Sequence, residues 1–264
     1  MACLLCQPSI AMKPALPLLR GSETCPSGVS YAFTTRLGGV SVGPLATLNL
    51  ARTAGDTDSA VVENWRRVAA AMQVSVEQVA LLTQVHGCDV ARVVAPAGPL
   101  DVVAVADAAV CTEPGVLLTV RVADCVPVLF YAPGGVAVAH AGWRGAAGDI
   151  VTKTALALAE ATGQPMSSVR AWVGPCIAAE SYETGPEVVD ALVSSGVDRS
   201  VAGPPGPWER EHADVRAVVD VQLRRLGVCV EHIRRDTATD DTLFSYRGDN
   251  GVTGRLAGVI VLRA

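Results

Sequence analysis

Residues 117–145, which read LLTVRVADCVPVLFYAPGGVAVAHAGWRG, contain two apolar runs that each lead to a chemically reactive side chain. The run Val116–Val122 predicts a strand that leads to Cys125, and the run Gly135–Ala139 predicts a strand that leads into His140. A cysteine and a histidine at the same ends of neighbouring strands suit two ligands of one metal ion, or a nucleophile and its base. This stretch leaves both interpretations open.

One further histidine extends the pair. The four histidines are His86, His140, His212 and His232, and only the first two follow strand-like runs and precede nearby glycines. With Cys125 they make a candidate His-Cys-His set, and three protein ligands with one open position are typical of catalytic zinc. Two alternatives stand beside it: Cys125 is a small core residue, or it is the nucleophile of a metal-free Cys-His hydrolase.

Arginines next to glycines are candidates for an anion site. Arg144 follows His140 and precedes a predicted helix at residues 146–161, where free N–H groups and the helix dipole favour an anion. A guanidinium also binds phosphate in a fixed fork. Arg36 precedes paired glycines after the predicted strand Val29–Thr35, where a hairpin turn is the simpler interpretation.

Two other reactive side chains are candidate catalytic residues together with Arg144. Asp124 directly precedes Cys125 at the end of the first strand. Cys176 follows a Gly-Pro pair after the predicted strand Val169–Val173, so we expect it to line the same pocket.

The remaining elements indicate the fold class. Helical spacing and capping residues predict helices at 58–72, Pro186–Ser195 and from an Asp214 cap to Leu226. Strand patterns occur at 89–94, 102–110 and Leu256–Leu262. Because strands and helices mix without strict alternation, we predict an α/β fold of the mixed, α+β type rather than a doubly wound parallel sheet.

Composition limits the partners. Half of the 264 residues are hydrophobic, and the net charge of −5 with no basic run argues against nucleic acid or an anionic membrane as partner. No uninterrupted apolar run reaches the roughly 18 residues of a membrane-spanning helix. Eight scattered cysteines fit reduced thiols in the cytoplasm better than a disulfide framework.

The N-terminal segment lacks the basic start and cleavage site of a signal peptide. We predict a flexible tail at residues 1–22 and a single catalytic domain at 23–264. Cys3 and Cys6 have the spacing of a redox or zinc pair, but no second pair stands near them, so we interpret them as incidental.

Taken together, the motifs resemble the laccase-domain family, also called the polyphenol-oxidase-like or purine nucleoside phosphorylase family of bacterial cytoplasmic proteins. The resemblance rests on motifs that follow one another in order along nearly the whole chain: Thr34-Thr35-Arg36 with Gly38-Gly39-Val40-Ser41, Asn49-Leu50, Gly55-Asp56, Asn64 with Arg66-Arg67, Thr83-Gln84-Val85-His86-Gly87, Ala123-Asp124-Cys125 with Pro127, His140-Ala141-Gly142-Trp143-Arg144-Gly145, Gly174-Pro175-Cys176-Ile177, Tyr182-Glu183, Ser245-Tyr246-Arg247 and Thr253-Gly254-Arg255.

The resemblance implies a single-domain layered sandwich of mixed sheets flanked by helices, with zinc held by His86, Cys125 and His140. It implies phosphorolysis of adenosine, inosine, guanosine and S-methyl-5'-thioadenosine, and deamination of adenosine. Older views of the family propose copper-dependent oxidation of phenols. Four histidines are too few to fill several copper sites that favour imidazole, so the oxidase ranks second.

For phosphorolysis, we expect Arg144 and Arg36 to hold phosphate, and Gln84 and Asn49 to orient the nucleoside. The chain departs from the family at Asp236-Thr237, where Cys-Thr is usual, and at Asp220 or Val219, where the last long helix often has Asn. These departures bear on substrate preference. A third class, a non-catalytic partner protein, would be favoured by an absence of turnover on nucleosides.

Overall fold

A computed structural model of the chain describes residues 15–22, 25–53, 55–207 and 209–264. Within these ranges, twelve strands form two six-stranded sheets. The strands are β1 Leu18–Leu19, β2 Val29–Thr34, β3 Val79–Thr83, β4 Val90–Arg92, β5 Asp101–Val105, β6 Ala108–Cys111, β7 Leu117–Val122, β8 Val126–Ala132, β9 Gly135–Ala141, β10 Arg170–Val173, β11 Cys229–His232 and β12 Leu256–Leu262. The α-helices are α1 Asp58–Ala71, α2 Trp143–Ala147, α3 Ile150–Thr162, α4 Pro186–Ser194, α5 Arg199–Ala202 and α6 Val215–Arg225. Short 3-10 turns lie at Gly43–Leu45, Val76–Gln78, Met166–Ser168 and Ala179–Ser181.

Both sheets are mixed. Sheet A has the order β1-β2-β12-β7-β3-β5, with β3 parallel to both β7 and β5 and the other pairs antiparallel. Sheet B has the order β11-β10-β8-β9-β6-β4, with parallel pairs only at its two edges. The expected mixed sheets are confirmed.

Three apolar clusters show how the layers stack. Phe33 and Leu118 of sheet A pack with Leu129 and Trp172 of sheet B in one buried cluster, so the sheets face each other. The outer face of sheet A packs on α1, and the outer face of sheet B packs on the helices that follow β9. The result is an α/β/β/α sandwich, as the layered fold class predicts.

Two predicted elements are divided in the structure. The predicted helix 146–161 is two helices, α2 and α3, because Gly148 and Asp149 interrupt it and Asp149 takes a left-handed φ of 59°. The predicted strand 102–110 is also two strands, β5 and β6, separated by Ala106 and Asp107. Both predictions missed breaks that lie close to the candidate site.

The other predicted elements lie where expected. Helix α1 begins after Thr57, whose hydroxyl accepts a hydrogen bond from the Ala60 N–H, and α6 begins after Asp214, which caps it in the same way. Of the predicted tail, residues 1–14, with Cys3 and Cys6, lie outside the described residues, whereas Leu18 and Leu19 pair with β2. None of the described helices is long and apolar enough to span a bilayer.

Candidate metal centre

His86, Cys125 and His140 converge between the two sheets, and we call them the ligand cluster. One nitrogen or sulfur atom from each lies within 4.8 Å of the others. His86 follows β3 at a left-handed φ of 58°, Cys125 lies between β7 and β8, and His140 belongs to β9. The predicted proximity of these three residues is therefore present in the structure.

Strand pairing brings the two reactive strand ends together. His140 lies opposite Pro127 in the β8–β9 ladder, so Cys125, two residues before Pro127, stands beside it. The imidazole rings of His86 and His140 meet edge to face, with centroids 4.8 Å apart. Long-range pairing, not local spacing, thus assembles the cluster.

Asp107 holds both histidines in place, although its side chain was not among the predicted site residues. Its fully buried carboxylate lies 2.7 Å from His140 Nδ1 and accepts hydrogen bonds from the backbone N–H groups of Val85, His86 and Gly87. Because Nδ1 donates to the carboxylate, Nε2 is the nitrogen of His140 that is left for a metal, the usual arrangement around ligating histidines. An isolated carboxylate inside the apolar run 102–110 was the sequence signal, since a buried charge needs partners.

The electrostatics favour a Cys125 thiolate and an ionised Asp107. Burial opposes the ionisation of Asp107, but hydrogen bonds from His140 and the backbone outweigh it and lower its pKa to about 2. Burial likewise opposes the Cys125 thiolate, but the neighbouring His140 and His86 lower its pKa to about 6. A thiolate is the form that binds metal or attacks as a nucleophile.

Gly142 leaves the room that the cluster needs. A Cβ atom built on it would lie 3.1 Å from His86 Cδ2 and 3.2 Å from Cys125 Sγ. Two imidazoles and one thiolate, close together and braced by a carboxylate, are a donor set that fits a nitrogen- and sulfur-binding metal ion.

The ligand cluster lines a cavity of about 690 Å³. The same cavity is lined by four arginines, which we call the arginine wall: Arg121, Arg144, Arg247 and Arg255. Tyr182, Trp143 and Tyr246 add aromatic surface. A cavity of this size with a few polar groups is typical of a small-molecule site.

Arg144 lies in the cavity as predicted, but inside the five-residue helix α2 and not at the start of a long helix. Its guanidinium stacks on Trp143, 4.1 Å from the ring centroid. Among the described residues it has no carboxylate partner, so it can contact an anion in the cavity.

Asp124 and Gln84 also line the cavity, and both are occupied by protein contacts. The Asp124 carboxylate accepts hydrogen bonds from the hydroxyls of Thr237 and Ser245 and from the backbone N–H of Arg247. The Gln84 amide makes two 2.8 Å hydrogen bonds with the backbone of Arg121. These contacts position the cavity wall.

Arg36 and Asn49 do not line the cavity, in contrast to the expectation that they contact substrate. Arg36 donates to the carbonyl groups of Ala46 and Pro44 and stacks on Phe244. Asn49 is fully buried, and its amide bonds to neighbouring groups that include the Asp56 carboxylate and the Arg255 N–H. Their polar atoms are satisfied within the protein.

Cys176 is fully buried in the core cluster beneath sheet B and not in the cavity wall, where it was expected. Its thiol contacts the Arg216 guanidinium, and burial raises its pKa to about 11. A buried, protonated thiol outside the cavity does not suit a catalytic role.

The two facing mixed sheets and the ligand cluster beside an arginine-lined cavity define an α/β/β/α sandwich protein with a candidate metal centre. Residues 30–263 match the family described as multi-copper polyphenol oxidoreductase laccase. The chain therefore belongs to this laccase-like family, which confirms the resemblance seen in its motifs.

Relatives match over nearly their full length. A purine nucleoside phosphorylase from Deinococcus radiodurans is 38% identical over 251 residues, 94% of this chain and 94% of its own. The purine nucleoside phosphorylase YfiH from Escherichia coli is 37% identical over 243 residues, 90% of this chain and 95% of its own. The crystal structure of YlmD from Geobacillus stearothermophilus has a TM-score of 0.78 at 33% identity, covering 90% of this chain and 93% of its own.

Proposed function

We propose that the protein is a zinc-dependent purine nucleoside phosphorylase that also deaminates adenosine. Its substrates would be adenosine, inosine, guanosine or S-methyl-5'-thioadenosine together with phosphate, and its setting the cytoplasm. The relatives named purine nucleoside phosphorylase support the phosphorylase activity. The observation that carries the proposal is that one cavity combines the ligand cluster with the arginine wall.

His86, Cys125 and His140 would hold the zinc, with Asp107 bracing His140 through Nδ1. When bound, zinc supplies Lewis-acid chemistry and favours deprotonation of a water for deamination. The low pKa of Cys125 supplies the thiolate ligand at neutral pH. Copper is the alternative metal.

In phosphorolysis, a phosphate oxygen attacks the anomeric carbon of the ribose, and the bond from that carbon to the purine nitrogen breaks. The site must balance the negative charge of the phosphate, and it must stabilise the charge that develops on the leaving base. Arginines of the wall would bind the phosphate, and Arg144 stands directly beyond the strand that carries His140. Trp143 and Tyr182 offer aromatic faces for a purine.

A metal-free Cys-His hydrolase is the second candidate. Cys125, His140 and Asp107 are connected in the order of nucleophile, base and orienting carboxylate. The copper-dependent phenol oxidase is the other alternative. Among the described residues, a single three-ligand cluster is found, and several copper sites would need more histidines.

The experiment is to incubate the purified protein with adenosine, with and without phosphate, and to follow adenine, ribose 1-phosphate and inosine. We expect adenine release that depends on phosphate, and a smaller formation of inosine that does not. Cys125→Ser should abolish both activities and zinc binding, whereas Cys229→Ser, which alters an exposed thiol, should leave all three unchanged. Zinc retained by Cys125→Ser would contradict the metal assignment, and chelator-resistant hydrolysis would favour the hydrolase.

A further inference from the structure

Arg121 and Arg255 lie next to each other on one face of sheet A. In the β7–β12 ladder, Arg121 is opposite Ala257, and Arg255 stands two residues before Ala257. Residues two apart in an extended chain point to the same face, so the two arginines are diagonal neighbours within reach of each other. Both side chains line the cavity.

Backbone contacts fix one part of each guanidinium and leave the rest available. Arg121 Nη2 donates to the Leu82 carbonyl at 2.6 Å, and Arg255 Nη1 donates to the carbonyls of Thr253 and Gly254 at 3.1 and 3.0 Å. Within the described part of the chain, neither forms an ion pair with a carboxylate. The remaining N–H groups can therefore bind a ligand.

A third arginine nearby provides the contrast. Arg52 is close enough to Arg121 to repel its positive charge. Unlike Arg121, Arg52 forms an ion pair with Asp58 at 3.0 Å and does not line the cavity. Burial, together with the charges of Arg255 and Arg52, lowers the pKa of Arg121. Two half-buried cations side by side, without a counterion, are costly to the folded protein.

An anion with two negative charges offsets this cost better than a single carboxylate. A phosphoryl group carries close to two charges near neutral pH and offers three oxygens. Arginine binds such a group through forked hydrogen bonds. The pair therefore matches a phosphoryl group in charge and in hydrogen-bonding capacity.

We propose that Arg121 and Arg255 form a phosphoryl-binding site on the sheet A side of the cavity, separate from Arg144 on α2. The inference rests on the proposed function for the nature of the ligand. The phosphoryl group is that of inorganic phosphate, the co-substrate, or one carried by the nucleoside as a 5'-monophosphate. Both sources present the same chemistry to the two arginines.

The test compares Arg121→Gln and Arg255→Gln with Arg144→Gln and with the matched control Arg52→Gln. Calorimetric binding of inorganic phosphate and of adenosine 5'-monophosphate is measured first, because it does not depend on turnover. The KM values for phosphate and for adenosine follow, and thermal unfolding identifies any variant that fails to fold. Because Arg121 lies on β7 and Arg255 lies directly before β12, either variant can test the site if the other is unstable.

If inorganic phosphate is the ligand, both Gln variants weaken phosphate binding about 10- to 100-fold and leave the adenosine KM nearly unchanged. If the nucleotide is the ligand, they weaken adenosine 5'-monophosphate binding by a similar factor and spare phosphate. Arg52→Gln stays within about twofold in both arms, since its charge is already paired.

Unchanged binding of both ligands in folded Arg121→Gln and Arg255→Gln would overturn the site. Absent turnover in the wild-type protein, with phosphoryl binding that is still lost in the variants, would contradict the proposed phosphorylase and leave this site standing.

Discussion

The ligand cluster and the arginine wall line the same cavity, but the protein supports them differently. His140 is fixed by Asp107, which is itself held by three backbone N–H groups. By contrast, Arg121 and Arg144 have no carboxylate partners among the described residues. The cluster is therefore preorganised by internal hydrogen bonds, whereas these arginines keep charge that is available to a ligand. Substitutions in the ligand cluster should therefore affect both stability and metal affinity, and substitutions in the arginine wall should affect ligand binding.

The largest effect is expected from Asp107→Asn. Loss of the charge weakens the contact with His140 Nδ1 and three backbone hydrogen bonds, so we expect the free energy of unfolding to fall by about 3 kcal/mol. Metal affinity should fall about 10- to 100-fold, as for other partners of ligating histidines. Denaturant unfolding and metal titration measure the two effects.

Asp220→Asn is the matched control for this substitution. Asp220 lies 2.7 Å from His232, the same distance as Asp107 from His140, but this pair lies on α6 and β11, away from the ligand cluster. The control should leave metal affinity unchanged. Equal losses in the two variants would mean that Asp107 has no special part in holding the metal.

Asn49→Ala should produce the next largest effect, on stability and not on nucleoside binding. The buried amide accepts a hydrogen bond from the backbone N–H of Arg255 and donates one to the Asp56 carboxylate. Its removal leaves these polar groups unpaired and lowers the free energy of unfolding by about 3 kcal/mol. The KM for adenosine should stay within about twofold. A tenfold rise in that KM, with stability preserved, would support the contact between Asn49 and the nucleoside that the sequence predicted.

Gly142→Ala should have a smaller effect, centred on the ligand cluster. The added methyl group would lie close to His86 and Cys125, so we expect about a tenfold loss of metal affinity and about 1 kcal/mol of stability. Gly98→Ala, which meets no atom within 4 Å, is the control. If the two variants bind metal equally, the space beside Gly142 is not needed by the ligands.

The smallest effect, and a pH-dependent one, is expected from Asp236→Asn. Burial raises the pKa of Asp236, but hydrogen bonds from Ser181, Ala178 and Ala238 outweigh it and hold the pKa below its usual value. A lowered carboxyl pKa stabilises the folded state above the unfolded pKa, and this gain disappears as pH falls through the folded value. Asp236→Asn should therefore cost about 1 kcal/mol at pH 7 and progressively less below pH about 4. A difference that is independent of pH between 2 and 7 would contradict the role of the charge.

The sequence predicted most of the elements and the proximity of His86, Cys125 and His140. The apolar runs that lead to His86, Cys125 and His140 can be recognised in the sequence, and each of these residues lies at or just beyond the end of a strand. The breaks were missed because apolar patterns continue through them, although the Gly148-Asp149 pair was a turn signal.

The side chains that support the site were less predictable. Arg36 and Asn49 stand beside turns, as ligand-binding residues often do, and only the tertiary contacts show that their polar atoms are satisfied internally. Arg121 was not a candidate site residue, since its neighbour Arg255 is 134 positions later in the chain. Strand register decides which distant residues share a face of the sheet. This register cannot be read from the sequence around Arg121 or around Arg255 alone.

The most direct test is the metal content of the protein purified without added metal, combined with adenosine phosphorolysis before and after chelation. We expect about one zinc per chain, loss of phosphate-dependent adenine release when the zinc is removed, and recovery when it is returned. His140→Ala should contain no zinc and should not recover. Full phosphorolysis by the metal-free protein, or one zinc per chain retained by His140→Ala, would contradict the metal centre.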